Sequence, residues 1–181
     1  MPILKVIYEQ PRYFAEQSGR GKYHDEDAVE TVVNYCLRPD KTPHHFIGGY
    51  GVNLKQAGYE MNRLAEAFDK DNGVRLRHMV LSFSQKEQRQ LSRERDVVNS
   101  FLNEIAQYAI AYYGHEYQIL YAVHEDTSHS HIHMVMNTVN YKTGKKYAGR
   151  KEDYYNFQNY LKSFLKENFD MILMVEPDRR S

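Results

Sequence analysis

Apolar positions along the chain fall into two spacings, and their alternation lays out the expected elements. Leu4 to Tyr8 alternates β-branched and aromatic residues and predicts a first strand, followed by a Ser18-Gly19-Arg20-Gly21 loop. Val29, Val32, Val33 and Leu37 recur at helical spacing. They predict a helix that starts near Asp25 or Asp27, carries Tyr35 in its last turn and stops at Pro39. His44 to Gly51 reads as a loop or short irregular strand. A second helix follows, striped by Leu54, Ala57, Met61, Leu64, Ala65 and Phe68.

After an Asp71-Asn72-Gly73 turn, Val74 to Phe83 predicts a strand, and Ser84 with Glu87 forms a capping-box pattern. A long helix begins there or near Ser92. Val97, Val98, Phe101, Leu102, Ile105, Ala109 and Tyr112 form its buried face, and Gly114 ends it. Tyr117 to His124 and His131 to Val139 read as a β-hairpin around the polar turn Asp126-Thr127-Ser128. A Gly144 turn, a basic stretch, a helix over Glu152 to Asn168 and a last strand over Met171 to Val175 complete the order. This succession predicts one α+β domain over residues 1–181, with helices packed on a mostly antiparallel sheet.

Composition narrows the chemistry. A hydrophobic share of 41% with 27% charged residues suits a globular protein, and no apolar run approaches the roughly 20 residues of a membrane helix. No membrane insertion is expected. The N-terminus lacks a basic leader and a small-residue cleavage site, which points to the cytoplasm. A single cysteine, Cys36, excludes an internal disulfide and a thiolate metal cluster, so any metal must use histidine or carboxylate. The net charge of zero argues against a protein that coats nucleic acid through a general positive field. Lys142, Lys145, Lys146, Arg150 and Lys151 nevertheless cluster in one segment, and a local basic track there could contact phosphates. Exposed Tyr141 or Tyr147 could stack on an unpaired base.

The densest chemistry lies in His124-Glu125-Asp126-Thr127-Ser128-His129-Ser130-His131-Ile132-His133, which packs four of the nine histidines into ten positions. On a strand, His131 and His133 project from one face while Ile132, Met134 and Met136 project from the other. His124, across the turn, can reach the same point. Three neutral nitrogen ligands with positions left open are a catalytic rather than a structural arrangement. Glu125 and Asp126 then serve either as groups that orient an imidazole or as additional ligands.

The string H-x-D-x-x-H-x-H-x-H-x-x-x-N, from His124 to Asn137, resembles the third motif of the relaxases. These are the mobilisation nucleases of conjugative plasmids and integrative elements, within the superfamily named for a histidine-hydrophobe-histidine motif, here His131-Ile132-His133. Val33-Asn34-Tyr35-Cys36-Leu37-Arg38-Pro39-Asp40-Lys41-Thr42 is similar to their first motif, and His78-Met79-Val80-Leu81-Ser82-Phe83 to their second. The resemblance implies Tyr35 as nucleophile, with Asp126 beside it in the catalytic set. It implies His124, His131 and His133 as ligands of Mg2+ or Mn2+, with Glu125, His129 and Asn137 as their neighbours. His78, Ser82, Lys142, Lys145 and Lys146 are then the DNA-binding residues.

The implied activity is nicking of single-stranded DNA at an origin of transfer through a 5′-phosphotyrosine. The implied partners are an accessory DNA-binding protein and a type IV coupling protein. The chain would be a minimal relaxase or the N-terminal part of a longer one. A rolling-circle replication initiator, a transposase-like relative, a non-catalytic DNA-binding module and a metal-dependent hydrolase using bound hydroxide are the competing classes.

Overall fold

In the computed structural model, residues 1–7, 23, 26–42, 46–125 and 129–176 are described. They form strands β1 (Ile3–Ile7), β2 (Ile47–Tyr50), β3 (Leu76–Phe83), β4 (Tyr117–His124), β5 (Ser130–Asn140) and β6 (Met174–Val175). The helices are α1 (Ala28–Cys36), α2 (Ala57–Ala67), α3 (Gln85–Leu91), α4 (Arg95–Gly114) and α5 (Lys151–Phe169). The strands make one sheet in the order β2-β4-β5-β3-β1-β6. Its pairs are antiparallel except for β1 with β6, as the α+β expectation required.

The expected long helix has two parts, and both anticipated starting points are used. Ser84 and Glu87 close a capping box on the short α3, and the chain then turns at extended Ser92 before α4 begins at Arg95. The first helix lacks the side-chain cap anticipated from its acidic residues. Asp27 precedes it without a capping hydrogen bond, and Asp25 lies outside the described residues.

Strand alternation sends two different surfaces to the two faces of the sheet. On one, Met79, Leu81, Phe83, Ile119, Tyr121, Val123, Ile132, Met134 and Met136 pack with α4 and α5 through Leu102, Ile105, Phe157 and Leu161. The other carries Leu76, Leu120, Ala122 and Val135 under Val29, Val32, Val33 and Cys36 of α1 and Ala57 and Met61 of α2. α1 thus lies across the face to which the odd-numbered residues of β5 point. Among the described residues no helix is long and apolar enough to cross a membrane.

Candidate active site

Register across the sheet assembles the site row by row. His131 stands between Ser82 on β3 and His124 on β4, and Ser82 in turn faces Ile3 on β1. One step along, His133 lies between Val80 and Ala122, with Lys5 beyond Val80. The next row contains Ile7, His78 and Val135. Every one of these side chains points to the α1 side. Ring centroids lie 5.4 Å apart for His124 and His131, 4.3 Å for His124 and His133, and 4.8 Å for His131 and His133. One nitrogen from each of the three falls within 4.8 Å of the other two.

Hydrogen bonds to carbonyl oxygens assign two of the tautomers, because a carbonyl can only accept. His124 Nε2 donates to the Cys36 carbonyl oxygen at 2.7 Å, so its Nδ1 keeps a lone pair. His131 Nδ1 donates to the His129 carbonyl oxygen at 3.0 Å, which leaves the lone pair on Nε2. His133 is buried, and its Nε2 has no hydrogen-bond partner. A buried, unsatisfied imidazole nitrogen is costly unless something binds it. That orphan, two oriented lone pairs and an all-imidazole donor set fit a divalent cation.

Burial, then positive charge on neighbouring imidazoles and Lys5, holds His133 well below the ordinary histidine range. Burial, followed by the same kind of repulsion, brings His78 down to about 3 from an ordinary value of 6.5. Both rings are therefore neutral at pH 7, as metal ligation and its supporting bonds require. Below pH 6.5 the unfolded chain takes up protons that the fold refuses, so stability is full above pH 6.5 and falls as the pH drops toward 3. Thermal unfolding of the metal-free protein between pH 7 and 5 should show a loss of about 1 kcal/mol per pH unit for each excluded proton. A flat profile over that interval would contradict the burial of these rings as neutral groups.

Tyr35 sits in the last turn of α1, half-buried at the edge of the stripe that Val29, Val32, Val33 and Cys36 pack against the sheet. Its ring lies 5.9 Å from that of His124 and 5.7 Å from that of His133, edge-on to both. An open pocket of about 300 Å³ runs beside it, bounded among others by Lys5, Ser82, His78, His131 and His133. The neighbouring Cys36 is no competitor as nucleophile. Burial pushes its thiol far above the ordinary range, and its contribution is the carbonyl that orients His124.

Other expected site residues lie elsewhere or act differently. His78 is 2% exposed and lies 2.8 Å from His133 through Nε2, where it supports a ring of the cluster. Glu125 turns to Arg95 at the start of α4, 3.1 Å away, and not to an imidazole. His129 contributes its backbone carbonyl while its ring is exposed. Asn137, four residues or about 13 Å along β5 from His133, donates to the Met61 carbonyl oxygen and to Gln118 and thereby fixes α2 to the sheet.

Lys142, Lys145 and Lys146 follow the far end of β5, about 20 to 30 Å along the sheet from His133 and His131 at a strand rise of about 3.3 Å per residue. Lys146 donates there to the Val74 carbonyl oxygen. Tyr141 and Tyr147 are half-buried and hydrogen-bonded, to Gly114 and Asp153 respectively, so neither is an exposed stacking platform. Asp126, Thr127, Ser128, His44 and His45 lie outside the described residues.

Two features beside the site escaped the sequence reading. Lys5 is a lone charge in an apolar strand, a signal that was visible but pointed nowhere until β1 paired with β3. Arg89, Arg93 and Arg95 line a hollow of about 280 Å³ with Gln85, Gln88 and Ser130, at the histidine end of β5. These arginines come from α3, α4 and the turn between them, and only folding places them beside the hairpin.

A six-stranded, mostly antiparallel sheet with a histidine cluster and a helix-borne tyrosine on one face is the architecture to which the comparisons with known proteins speak. A family model described as the nuclease domain of MobA/VirD2-like relaxases matches residues 35–168, and the chain belongs to that relaxase family. Over 150 residues it is 27% identical to a group II intron-interrupted relaxase, LtrB, of Lactococcus lactis subsp. cremoris, covering 68% of this chain and 25% of that protein. Over 104 residues it is 32% identical to protein rlx of Staphylococcus aureus, covering 58% of this chain and 30% of that protein. The chain thus spans about a quarter to a third of these curated relatives. No solved structure matches it.

Proposed function

We propose that this domain nicks single-stranded DNA at an origin of transfer, with Tyr35 as nucleophile and with His124, His131 and His133 holding Mg2+ or Mn2+. The observation that carries the reading is the convergence of three imidazoles on one point, with the Tyr35 ring within 6 Å of two of them. The bound cation would supply electrostatic stabilisation of the charge on the phosphate oxygens.

The chain's own residues perform the remaining work. Tyr35 Oη bonds to phosphorus as the bond to the 3′-oxygen breaks. The proton lost by the phenol is matched by the one gained at the 3′-oxygen, which leaves as a free hydroxyl. The number of phosphodiester-type bonds is unchanged, so rejoining needs no nucleotide. Lys5 and Ser82 line the same pocket as Tyr35 and His131, where an ammonium and a hydroxyl suit the phosphate. Arg89 and Arg93 offer contacts to flanking phosphates. Asp126 keeps its proposed place in the catalytic set, as an orienting group or a further ligand. An accessory DNA-binding protein, a coupling protein and a cytoplasmic setting belong to the same proposal.

The reading is tested by incubating the protein and Mn2+ with labelled single-stranded oligonucleotides tiling the DNA around its own gene. A labelled, denaturation-resistant protein adduct is the expected result. Cleavage without an adduct would replace the tyrosine mechanism with attack by water.

Lys5 gives a prediction of its own. Lys5→Met should slow single-turnover cleavage about 10- to 100-fold. It should also flatten the slope of log binding constant against log salt by about 0.7, the contribution of one phosphate contact to a single strand. Unchanged rate and slope would remove Lys5 from the phosphate site.

A further inference from the structure

Behind His133, away from its orphan Nε2, a hydrogen-bonded file of side chains runs into the protein. His133 Nδ1 lies 2.8 Å from His78 Nε2, and His78 Nδ1 lies 3.0 Å from the Tyr23 hydroxyl. All three side chains are buried, with exposures of 5%, 2% and 1%. The two imidazoles are stacked, with centroids 5.1 Å apart and planes 28° apart. The Cys36 thiol closes the side of the file, 3.8 Å from His78 Nε2. Tyr23 is itself tied to β3 through its carbonyl, which accepts from the Arg75 amide at 2.8 Å.

We infer that Tyr23 and His78 are positioning residues that set the tautomer and direction of the His133 ring, and through it the affinity of the centre for its cation. A neutral imidazole carries one proton, so this file has two self-consistent arrangements. In one, the Tyr23 hydroxyl donates to His78 Nδ1, His78 Nε2 donates to His133 Nδ1, and the remaining proton occupies His133 Nε2. That arrangement blocks ligation. In the other, His133 Nδ1 donates to His78 Nε2, His78 Nδ1 donates to the Tyr23 oxygen, and His133 Nε2 presents a lone pair. The second is the ligating form, and it needs His78 as acceptor and Tyr23 as acceptor behind it.

A ligating histidine ordinarily donates its other N–H to a carboxylate, a carbonyl or water. A neutral imidazole in that place is a weaker acceptor than a carboxylate and adds no negative charge to the site. The file is buried and hydrogen-bonded from end to end, so it transmits a hydrogen-bond direction from Tyr23 to His133. His124 and His131, by contrast, are oriented by backbone carbonyls and have no such second arrangement.

The inference rests on His133 being a metal ligand, and the test separates the two. Mn2+ affinity is measured by calorimetry without DNA, and the imidazole nitrogens are followed by 15N NMR with and without Mg2+. The wild type should bind Mn2+ with His133 protonated at Nδ1 in the Mg2+ form. His78→Leu should weaken Mn2+ binding about 10- to 100-fold. His78→Gln, whose side-chain oxygen can accept from His133 Nδ1, should recover most of that loss, and Tyr23→Phe should cost several-fold. Should His78→Leu fail to fold, Tyr23→Phe and the tautomer spectrum of the wild type decide the matter alone. Wild-type affinity in both Tyr23→Phe and His78→Leu, with His133 protonated at Nε2 in the Mg2+ form, would overturn the inference while leaving a metal centre. A wild type that binds no Mn2+ would overturn the metal reading itself, and this inference with it.

Discussion

Tyr35→Phe should abolish the covalent protein–DNA adduct and reduce strand cleavage by about 10³-fold or more, while binding of the same oligonucleotide stays within about threefold of the wild type. The substitution removes one oxygen from a half-buried ring whose packing against His124 and His133 is edge-on and is kept by phenylalanine. Loss of activity therefore cannot be charged to the fold, which circular dichroism and thermal melting would verify. Among the described residues, this is the tyrosine whose ring the sheet register and α1 bring against two of the histidines. An adduct undiminished in Tyr35→Phe would move the nucleophile to another residue.

His133→Ala has the second large effect. It deletes the ring that belongs to the histidine trio on one side and to the His78–Tyr23 file on the other. Metal affinity should fall by at least about 100-fold and adduct formation by about 10³-fold, with little recovery at higher Mn2+. Some loss of stability accompanies it, because His78 Nε2 and the pocket wall lose their partner in a buried position. His131→Ala serves as the companion variant. That ring is half-exposed, so its removal should reproduce the loss of metal and activity with a smaller change in melting temperature. Full activity in either variant with ordinary Mn2+ would exclude the trio as the cation site.

Much of this was legible in the order of residues because strand geometry is simple. A period of two sends His131 and His133 to one face and Ile132 and Met134 to the other, and a short turn brings His124 alongside. Tyr35 was legible through its motif and not through any local property, since many tyrosines stand near turns. What the linear order concealed was long-range. Cys36 acts by a backbone carbonyl, Tyr23 reaches His78 across a separation of 55 residues, and Lys5 comes to the pocket only through β1–β3 pairing.

The same blindness covers how far along the sheet each residue lies. Lysines clustered in sequence after Asn140 suggested a DNA track, but an eleven-residue strand carries that segment to the opposite end of the sheet from His131. Arginines scattered over α3, α4 and the intervening turn gather at the histidine end instead. Asn137 shares a face with His133 but lies two rows too far along it, and Glu125 is diverted by Arg95. A face can be read from alternation; a position along it, and the competing partners there, require the assembled sheet.

Anomalous diffraction from crystals grown with Mn2+ would examine the three-imidazole cradle most directly. One peak is expected at about 2.2 Å from His124 Nδ1, His131 Nε2 and His133 Nε2, on the side of the pocket that Tyr35 faces. A peak centred instead among Cys36, His78 and His133, or no peak at millimolar Mn2+, would contradict the account.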